Sequence, residues 1–253
     1  MKKIAIVTGA SSGMGREFVR QLAERYPVLD EIWAVARREE RLLELQKETG
    51  NVRIRAFSLD LKEEESFRNI AECLRRESPG VRILVNGSGI GISGDFMDLS
   101  EQEISDMVAV NCGALTKMTY LVLPYMKKGA MIYQFASAAA FSPQPGFAVY
   151  AAAKAYVLRF STALRQELKK KGIRVTAVCP GPVKTEFLEK AYGKQEMSFY
   201  KKLVIADCKK VVSRAIEDGK KGRAVSVYGG TMKFLRIISR LLPEEVLAGF
   251  FRG

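Results

Sequence analysis

Thr8-Gly9-Ala10-Ser11-Ser12-Gly13-Met14-Gly15-Arg16 is the stretch on which the fold of this chain turns. It follows the apolar run Ile4-Ala5-Ile6-Val7, which reads as a buried strand, and it leads directly into Glu17 to Arg25, which reads as a helix. Gly9, Gly13 and Gly15 let the backbone turn sharply and approach a ligand, and the first N–H groups of the helix carry the positive end of its dipole. Strand, glycine turn and helix N-terminus in this order form a cradle for the pyrophosphate of a dinucleotide. A tight strand-to-helix turn without a ligand is the alternative, and the flanking strand and helix favour the cradle.

Outward from this loop the same rhythm repeats. Strands are expected near residues 3–7, 31–36, 52–57, 82–86, 130–135, 173–178 and 223–227, separated by helix-length segments. Such alternation means parallel βαβ units with right-handed crossovers. The expected fold is α/β, a single-domain Rossmann fold over residues 1–253: a doubly wound parallel sheet of about seven strands with helices on both faces. Leu42, Leu43 and Leu45 lie among charges as on a surface helix, which Gly50-Asn51 breaks. A long helix is expected over 147–171, closed by Lys169-Lys170-Lys171 and by Gly172 as its C′ residue. A substrate-binding segment is expected at about 186–204 and a C-terminal extension at about 231–253.

Composition narrows the class. The 253 residues are 47% hydrophobic, enough for one sizeable core, with 41 Lys or Arg against 28 Asp or Glu. No run of about 18 apolar residues occurs and the N-terminus does not read as a signal peptide, so a cytoplasmic protein is expected. Cys73, Cys112, Cys179 and Cys208 are widely spaced, with no CxxC pair and no histidine, so no metal site is expected and Ser-His-Asp chemistry lacks its base. Reduced, structural thiols follow from that. Residues 201–253 hold 12 Lys or Arg against 5 Asp or Glu. This basic surplus reads first as solvated surface; no zinc-finger spacing or aromatic-interleaved basic run points to nucleic acid.

Specificity within the dinucleotide class should be written about 20 residues beyond the loop, where an acid usually accepts the ribose 2′-hydroxyl of NAD. Here the chain reads Trp33-Ala34-Val35-Ala36-Arg37-Arg38. With no acid present, Arg37, Arg38 or Arg16 is expected to pair with a 2′-phosphate, which favours NADP(H). The bland alternative is that Arg37 or Arg38 opens a charged helix, Arg38 more so. Asp60 reads equally as an acceptor for the adenine amino group or as a helix N-cap.

A second constellation lies in the middle of the chain. Tyr150 and Lys154 are four apart, so a helix puts both on one face, and Ser137 stands at the end of the expected fifth strand, with Asn111 in the preceding helix. Together with the TGxxxGxG loop from Thr8 to Gly15, Asp60-Leu61, Asn86-Gly87-Ser88-Gly89 and Pro180-Gly181-Pro182-Val183-Lys184-Thr185, these residues resemble a short-chain dehydrogenase/reductase of the common type over residues 3–230. Asn86-Gly87-Ser88-Gly89 departs from the family's NNAG only in its middle. A phenol of ordinary pKa near ~10 suits proton transfer at neutral pH only if neighbouring positive charge lowers it. The resemblance therefore implies Tyr150 as general acid, Lys154 lowering its pKa and holding the nicotinamide ribose, Ser137 donating to the carbonyl oxygen, and Asn111 anchoring a water chain to Lys154. It implies cofactor contacts from Gly9, Ser11, Ser12, Gly13, Met14, Gly15, Arg37, Arg38, Asp60, Leu61, Asn86, Gly87, Pro180, Gly181, Val183 and Thr185. It also implies a homodimer or homotetramer through the helices around 100–127 and 147–171.

In this family substrate choice lies after the Ser-bearing strand and after the PG motif. Phe141, Pro143, Phe147, Phe187, Leu188, Tyr192, Met197, Phe199 and Tyr200 make both regions apolar, which fits a bulky carbonyl or alcohol such as a steroid, bile acid or acyl chain. Further on, Phe234, Leu235, Ile238, Leu241 and Leu242 fall on one helical face and Lys233, Arg236 and Arg240 on another. Docking on the enzyme's own surface or on a partner subunit is expected, with contact to a membrane surface the less favoured alternative. The leading function is an NADP(H)-dependent carbonyl reductase or alcohol dehydrogenase. A 3-oxoacyl reductase and a non-catalytic nucleotide sensor are the alternatives.

Overall fold

A computed structural model describes residues 1–50, 52–192 and 204–250. Seven parallel strands form one sheet: β1 (Lys3–Thr8), β2 (Glu31–Ala36), β3 (Arg53–Ser58), β4 (Gly80–Asn86), β5 (Met126–Phe135), β6 (Arg174–Val178) and β7 (Val225–Ser226). Their order is β3-β2-β1-β4-β5-β6-β7. β1, β2 and β4 are buried along nearly their whole length, as parallel strands covered on both faces must be, which is why they read as unbroken apolar runs.

Helices cover both faces. On one, α1 (Gly13–Arg25), α2 (Glu39–Glu48) and α8 (Cys208–Lys220) enclose a core around Phe18, Leu22, Leu42, Leu45, Tyr133 and Ile216. On the other, α3 (Glu64–Glu77), α5 (Leu115–Val122) and α6 (Ala148–Leu168) enclose Trp33, Ile70, Leu74, Leu84, Met118 and Leu164. Strand order reverses between β1 and β4, so their helices leave in opposite directions and a crevice opens beyond their carboxyl ends.

Several local features differ from expectation. Helix α6 stops at Leu168, and Lys169 to Lys171 form tight turns that Gly172 closes at φ +68°. The Gly172 carbonyl accepts from Gly129 N, so the glycine ends the connection to β6 rather than the helix itself. Leu43 is exposed while Leu42 and Leu45 are buried, because only a narrow stripe of α2 meets the sheet. Between α4 (Glu101–Val108) and α5 the helix continues as a π-helical stretch, Ala109–Ala114. The whole segment Glu101–Tyr125 is long and apolar enough to cross a membrane by length and composition. Its apolar side, from Met107 through Leu115 and Met118 to Val122, is nonetheless buried inside the fold.

The last strand is the weakest link of the sheet, with two residues paired to β6. Asp218 compensates. Its carboxylate is 3% exposed and accepts from Arg214 Nε (2.9 Å), Arg223 Nη1 (3.0 Å) and Ser226 Oγ (2.9 Å), tying α8 to β7. Asp218→Ala leaves the Ser226 hydroxyl buried without its partner and should lower stability by about 2–3 kcal/mol in urea unfolding. A change within experimental error would show that β7 holds without it.

Candidate active site

The glycine loop is shaped by contacts that tolerate no side chain. A Cβ on Gly15 would lie 2.2 Å from the Gly9 carbonyl oxygen, and one on Gly9 would lie 2.6 Å from the Gly87 carbonyl oxygen. Gly9 and Gly13 also have φ of +69° and +53°. Thr8 locks the neighbouring strand ends together, its Oγ1 accepting from Gly87 N (3.0 Å) and Ser88 N (3.2 Å). Across the crevice, Pro180 to Thr185 folds over the loop: the Thr185 side chain lies 3.3 Å from where a Gly13 Cβ would stand.

Together these walls enclose a cavity of about 630 Å³. Of the expected cofactor residues, Gly9, Ser11, Ser12, Gly13, Met14, Gly15, Arg37, Arg38, Asp60, Leu61, Gly87, Pro180, Gly181, Val183 and Thr185 line it. The cradle at the N-terminus of α1, which any Cβ would fill, fits a dinucleotide pyrophosphate.

Asn86 is a correction, because it is not in that lining. Strand alternation turns its side chain into the core, where Nδ2 donates to Thr119 Oγ1 (3.0 Å) and Gln134 Oε1 (2.9 Å). The three arginines also separate. Arg16 is held on the outside of α1 by Glu48 (2.5 Å) and Glu44 (3.2 Å). Arg37 is 64% exposed and 3.8 Å from Asp60. Arg38 does open a helix, standing at the N-cap position of α2, and its side chain also reaches back to Ser11 Oγ through Nε (3.4 Å) and Nη2 (3.2 Å) while Nη1 donates to Glu186 (2.9 Å). Asp60 is not a helix cap: its Oδ1 accepts from Lys62 N (3.0 Å) in a side-chain turn, and Glu63 holds the N-cap position of α3.

Deeper in the same cavity three of the four candidate catalytic residues, Ser137, Tyr150 and Lys154, line the wall, and Asn111 lies buried behind it without lining the cavity. Ser137 lies two residues beyond β5 in extended backbone at the start of a 3-10 turn, and its Oγ accepts from Ala139 N (3.1 Å) close to the Tyr150 hydroxyl. Tyr150 and Lys154 face the cavity one turn apart on α6, with Lys154 Nζ 5.5 Å from the Tyr150 ring centroid and donating to the Phe135 carbonyl (2.9 Å). Asn111 lies in the π-helical stretch, a wide turn that sets its side chain against Gly89 and Ile90. Its Nδ2 donates to the carbonyls of Ile90 (2.7 Å) and Met107 (2.8 Å), bracing the loop after β4. A Cβ on Gly89 would lie 3.0 Å from Asn111 Oδ1 and 3.3 Å from Lys154 Nζ, so a side chain there would press on both groups.

Burial dominates the electrostatics, contrary to the expected lowering of the phenol by Lys154. It pushes the Tyr150 phenol upward against the opposing Ser137 hydrogen bond, and it pushes the Lys154 ammonium down to about 8. Tyr150 therefore carries its proton at neutral pH and is a filled donor, while Lys154 remains charged there and gives up its proton more readily than an exposed lysine.

On the substrate side, Phe147, Phe187 and Tyr192 form a ring stack around Tyr150: Phe147–Tyr150 at 4.4 Å, Tyr150–Phe187 at 5.7 Å and Phe147–Tyr192 at 6.1 Å between centroids. Phe187, Leu188 and Tyr192 come from α7 (Glu186–Tyr192). Phe141 is a correction: it ends a 3-10 turn and packs against the cluster around Leu115, Val157 and Val227, outside the cavity lining. Pro143 does not line it either, whereas Gln144 does. Met197, Phe199 and Tyr200 lie outside the described residues.

Ile90, Met232 and Leu235 line the cavity and were not singled out as site residues from sequence. Met232 and Leu235 belong to α9 (Gly230–Ile238), and Met232 Sδ lies 2.6 Å from where a Gly181 Cβ would stand. The expected single apolar face over 234–242 is not formed, because α9 ends at Ile238 and tight turns follow. Phe234, Ile237 and Leu241 are exposed, so this side is not docked on the enzyme's own surface. α10 (Glu244–Phe250) then begins after Pro243, with two glutamates in its first turn.

Comparison with known proteins places the chain in a family. A short chain dehydrogenase family model matches residues 3–196. Sulfoacetaldehyde reductase 2 of Chromohalobacter salexigens is 35% identical over 195 residues, covering 74% of this chain and 75% of that protein. A short-chain dehydrogenase from Sphingobium yanoikuyae solved with NADPH superposes with a TM-score of 0.78 at 27% identity, covering 98% of this chain and 93% of that one. A bulky-bulky ketone specific alcohol dehydrogenase from Comamonas testosteroni gives a TM-score of 0.75 at 26% identity, covering 94% and 92%. The chain belongs to the short-chain dehydrogenase/reductase family and is an NAD(P)(H)-dependent oxidoreductase of carbonyl or alcohol groups. The alternative of a non-catalytic sensor is set aside with that.

Lys154 carries a testable cost. Below about pH 8 it is charged in both the folded and the unfolded chain, so the burial penalty is present in full; between about 8 and 10.5 the folded state releases the proton first and stability rises with pH. Lys154→Met keeps the apolar stem and removes the charge. At pH 7 it should be more stable than wild type by about 1–3 kcal/mol in urea unfolding, a margin that narrows towards pH 10. It should also lose turnover. A destabilised Lys154→Met protein at pH 7 would show that the Phe135 hydrogen bond outweighs the desolvation.

Proposed function

We propose that the enzyme uses NADP(H) to interconvert a bulky apolar ketone and its secondary alcohol. The observation that carries this reading is the pairing of arginines at the carboxyl end of β2, where an NAD enzyme would carry an acid, with an aromatic wall around Tyr150. The Sphingobium relative was solved with NADPH, and the Comamonas relative is described as specific for bulky-bulky ketones; both support it.

In this reading the cofactor supplies the hydride and the chain supplies position and polarity. Gly9 to Gly15 and the N-terminus of α1 hold the pyrophosphate, Arg37 and Arg38 the 2′-phosphate, and Pro180 to Thr185 the nicotinamide end. Ser137 donates to the substrate oxygen, on which negative charge builds during reduction, and Tyr150 delivers the proton to that same oxygen. Lys154 holds the ribose and supplies positive charge beside the phenol, and Asn111 fixes the loop that closes this corner. Phe147, Phe187 and Tyr192 exclude water and receive the apolar body of the substrate. A homo-oligomer through the helices around 100–127 and 147–171, where Val108, Tyr120 and Tyr156 are exposed, belongs to the same reading, with the exposed face of α9 as further apolar surface for a second subunit.

NADPH should bind at least about tenfold more tightly than NADH, equivalent to about 1.4 kcal/mol, in a fluorescence titration. Equal affinities would remove the 2′-phosphate role of the arginines. Tyr150→Phe should abolish turnover and leave NADPH affinity nearly unchanged; retention of more than a few per cent of activity would contradict proton transfer from Tyr150. A panel of steroids, bile acids, aryl ketones and 3-oxoacyl thioesters, followed by NADPH absorbance, tests the substrate class. Turnover confined to small polar aldehydes would overturn the apolar assignment, and preference for the thioesters would favour the 3-oxoacyl reductase.

A further inference from the structure

Glu186 stands where the cofactor and substrate halves of the cavity meet. It is the first residue of α7, the helix that carries Phe187 and Tyr192 into the ring stack around Tyr150. Its carboxylate does not face solvent alone. Oε2 accepts from Arg38 Nη1 at 2.9 Å and Oε1 accepts from Arg41 Nη1, so one acid is forked between two arginines of the β2–α2 corner. Arg38 meanwhile turns its Nε and Nη2 towards Ser11 Oγ in the glycine loop. Both Arg38 and Glu186 line the cavity.

The charge inventory of this corner is short. Among the described residues, Arg37, Arg38 and Arg41 are its arginines, Lys190 lines the same cavity from α7 and Lys62 interacts with Arg37 and Asp60; Asp60 lies 3.8 Å from Arg37, and Glu186 is shared by Arg38 and Arg41. The two arginines hold the Glu186 carboxyl down at about 2, so it stays ionised throughout the working pH range. A dianionic phosphate entering this corner therefore meets arginines already partly neutralised by an internal anion, and that anion repels it.

We propose that Glu186 is a specificity-determining residue: its carboxylate competes with the 2′-phosphate of NADP(H) for Arg38 and Arg41, and so moderates the preference for the phosphorylated cofactor while linking that corner to α7. The proposal rests on the assignment of NADP(H) above. It has a consequence on the substrate side, because an incoming phosphate that draws the arginines away from Glu186 also loosens the first turn of the helix bearing Phe187 and Tyr192. Cofactor identity is thus communicated to the ring stack through one carboxylate and the two arginines it holds. NADH, lacking the phosphate, leaves the pair in place.

Glu186→Gln tests this in the full chain, since the residue lines the cavity half-buried, outside the packed core, and the amide keeps its shape. Dissociation constants are measured by titration for NADPH and NADH, and for 2′,5′-ADP and 5′-AMP, which isolate the adenosine end. The expected result is an NADPH affinity about threefold or more tighter than wild type, with NADH changed less than about twofold, and the same contrast between 2′,5′-ADP and 5′-AMP. In the Arg38→Ala background the gain should shrink, because one of the two competed-for cations is gone. A gain shared equally by phosphorylated and unphosphorylated ligands, or a loss for NADPH, overturns the competition while leaving the NADP(H) assignment standing. A wild-type protein that binds NADH as tightly as NADPH overturns the assignment itself.

Discussion

The close approach of Gly9 to Gly87 is the constraint on which the rest of the site depends. Two strand ends must come so near that a Cβ on Gly9 would stand 2.6 Å from a backbone oxygen, and Thr8 Oγ1 must bridge to two amides on the other strand. β1 and β4 are neighbours in the sheet although five elements of chain (α1, β2, α2, β3 and α3) separate them, and their crossovers leave to opposite sides. Had a side chain stood at this seam, the strand ends would part and the glycine loop would lose the wall that gives it its curvature. The core on each face serves this seam by fixing the register of β1 against both neighbours, Thr8 against Val35 and against Asn86.

A second constraint is dryness. The catalytic tyrosine and lysine sit in a pocket whose walls are aromatic rings and helix α6, and both groups are pushed towards neutrality by it. That makes a good resting state for reduction, in which the phenol must hold a proton, and it makes added positive charge at the site effective because little solvent screens it. The charge that matters on the outer side is handled in the opposite way. Arg16, Arg38 and Arg41 are exposed enough to be solvated and are further neutralised by Glu44, Glu48 and Glu186. Of these acids, only Glu186 projects into the cavity, which is why its position has consequences that Glu44 and Glu48 do not share.

The strands and their parallel order are legible from the chain because most are buried runs bounded by glycine or charge, the half-exposed β3 and the two-residue β7 excepted, and the spacing between them admits little besides a helix. The glycine loop and the Tyr150–Lys154 pair were legible because their chemistry is local: a turn is written in adjacent residues, and a four-residue spacing on a helix is a contact. Asn86 and Phe141 are misplaced by sequence reasoning because strand phase and turn geometry decide which way a side chain points, and Asn86 lies at the end of β4 and Phe141 at the end of a 3-10 turn, where the sequence has no periodicity to count. The Arg38–Glu186 pair was invisible for a different reason: 148 residues separate the partners, and nothing in either neighbourhood names the other.

Helix α9 shows how a correct periodicity can still yield a wrong surface. Phe234, Leu235, Ile238, Leu241 and Leu242 share a face only if one straight helix runs from 230 to 242, and the chain instead leaves helical geometry after Ile238, where Ser239 Oγ donates back to the Arg236 carbonyl and Leu241 N and Leu242 N both return to Ile238 O. What remains is a nine-residue helix apolar on two sides. Met232 and Leu235 press inward on Gly181 and the cavity, while Phe234 and Ile237 point out. A helix that short is not stable by itself, so its inward contacts must hold it against the Pro180–Thr185 loop. The wall of the substrate cavity and the exposed apolar surface are therefore two sides of one small element, and whatever covers the outer side bears directly on the shape of the inner one.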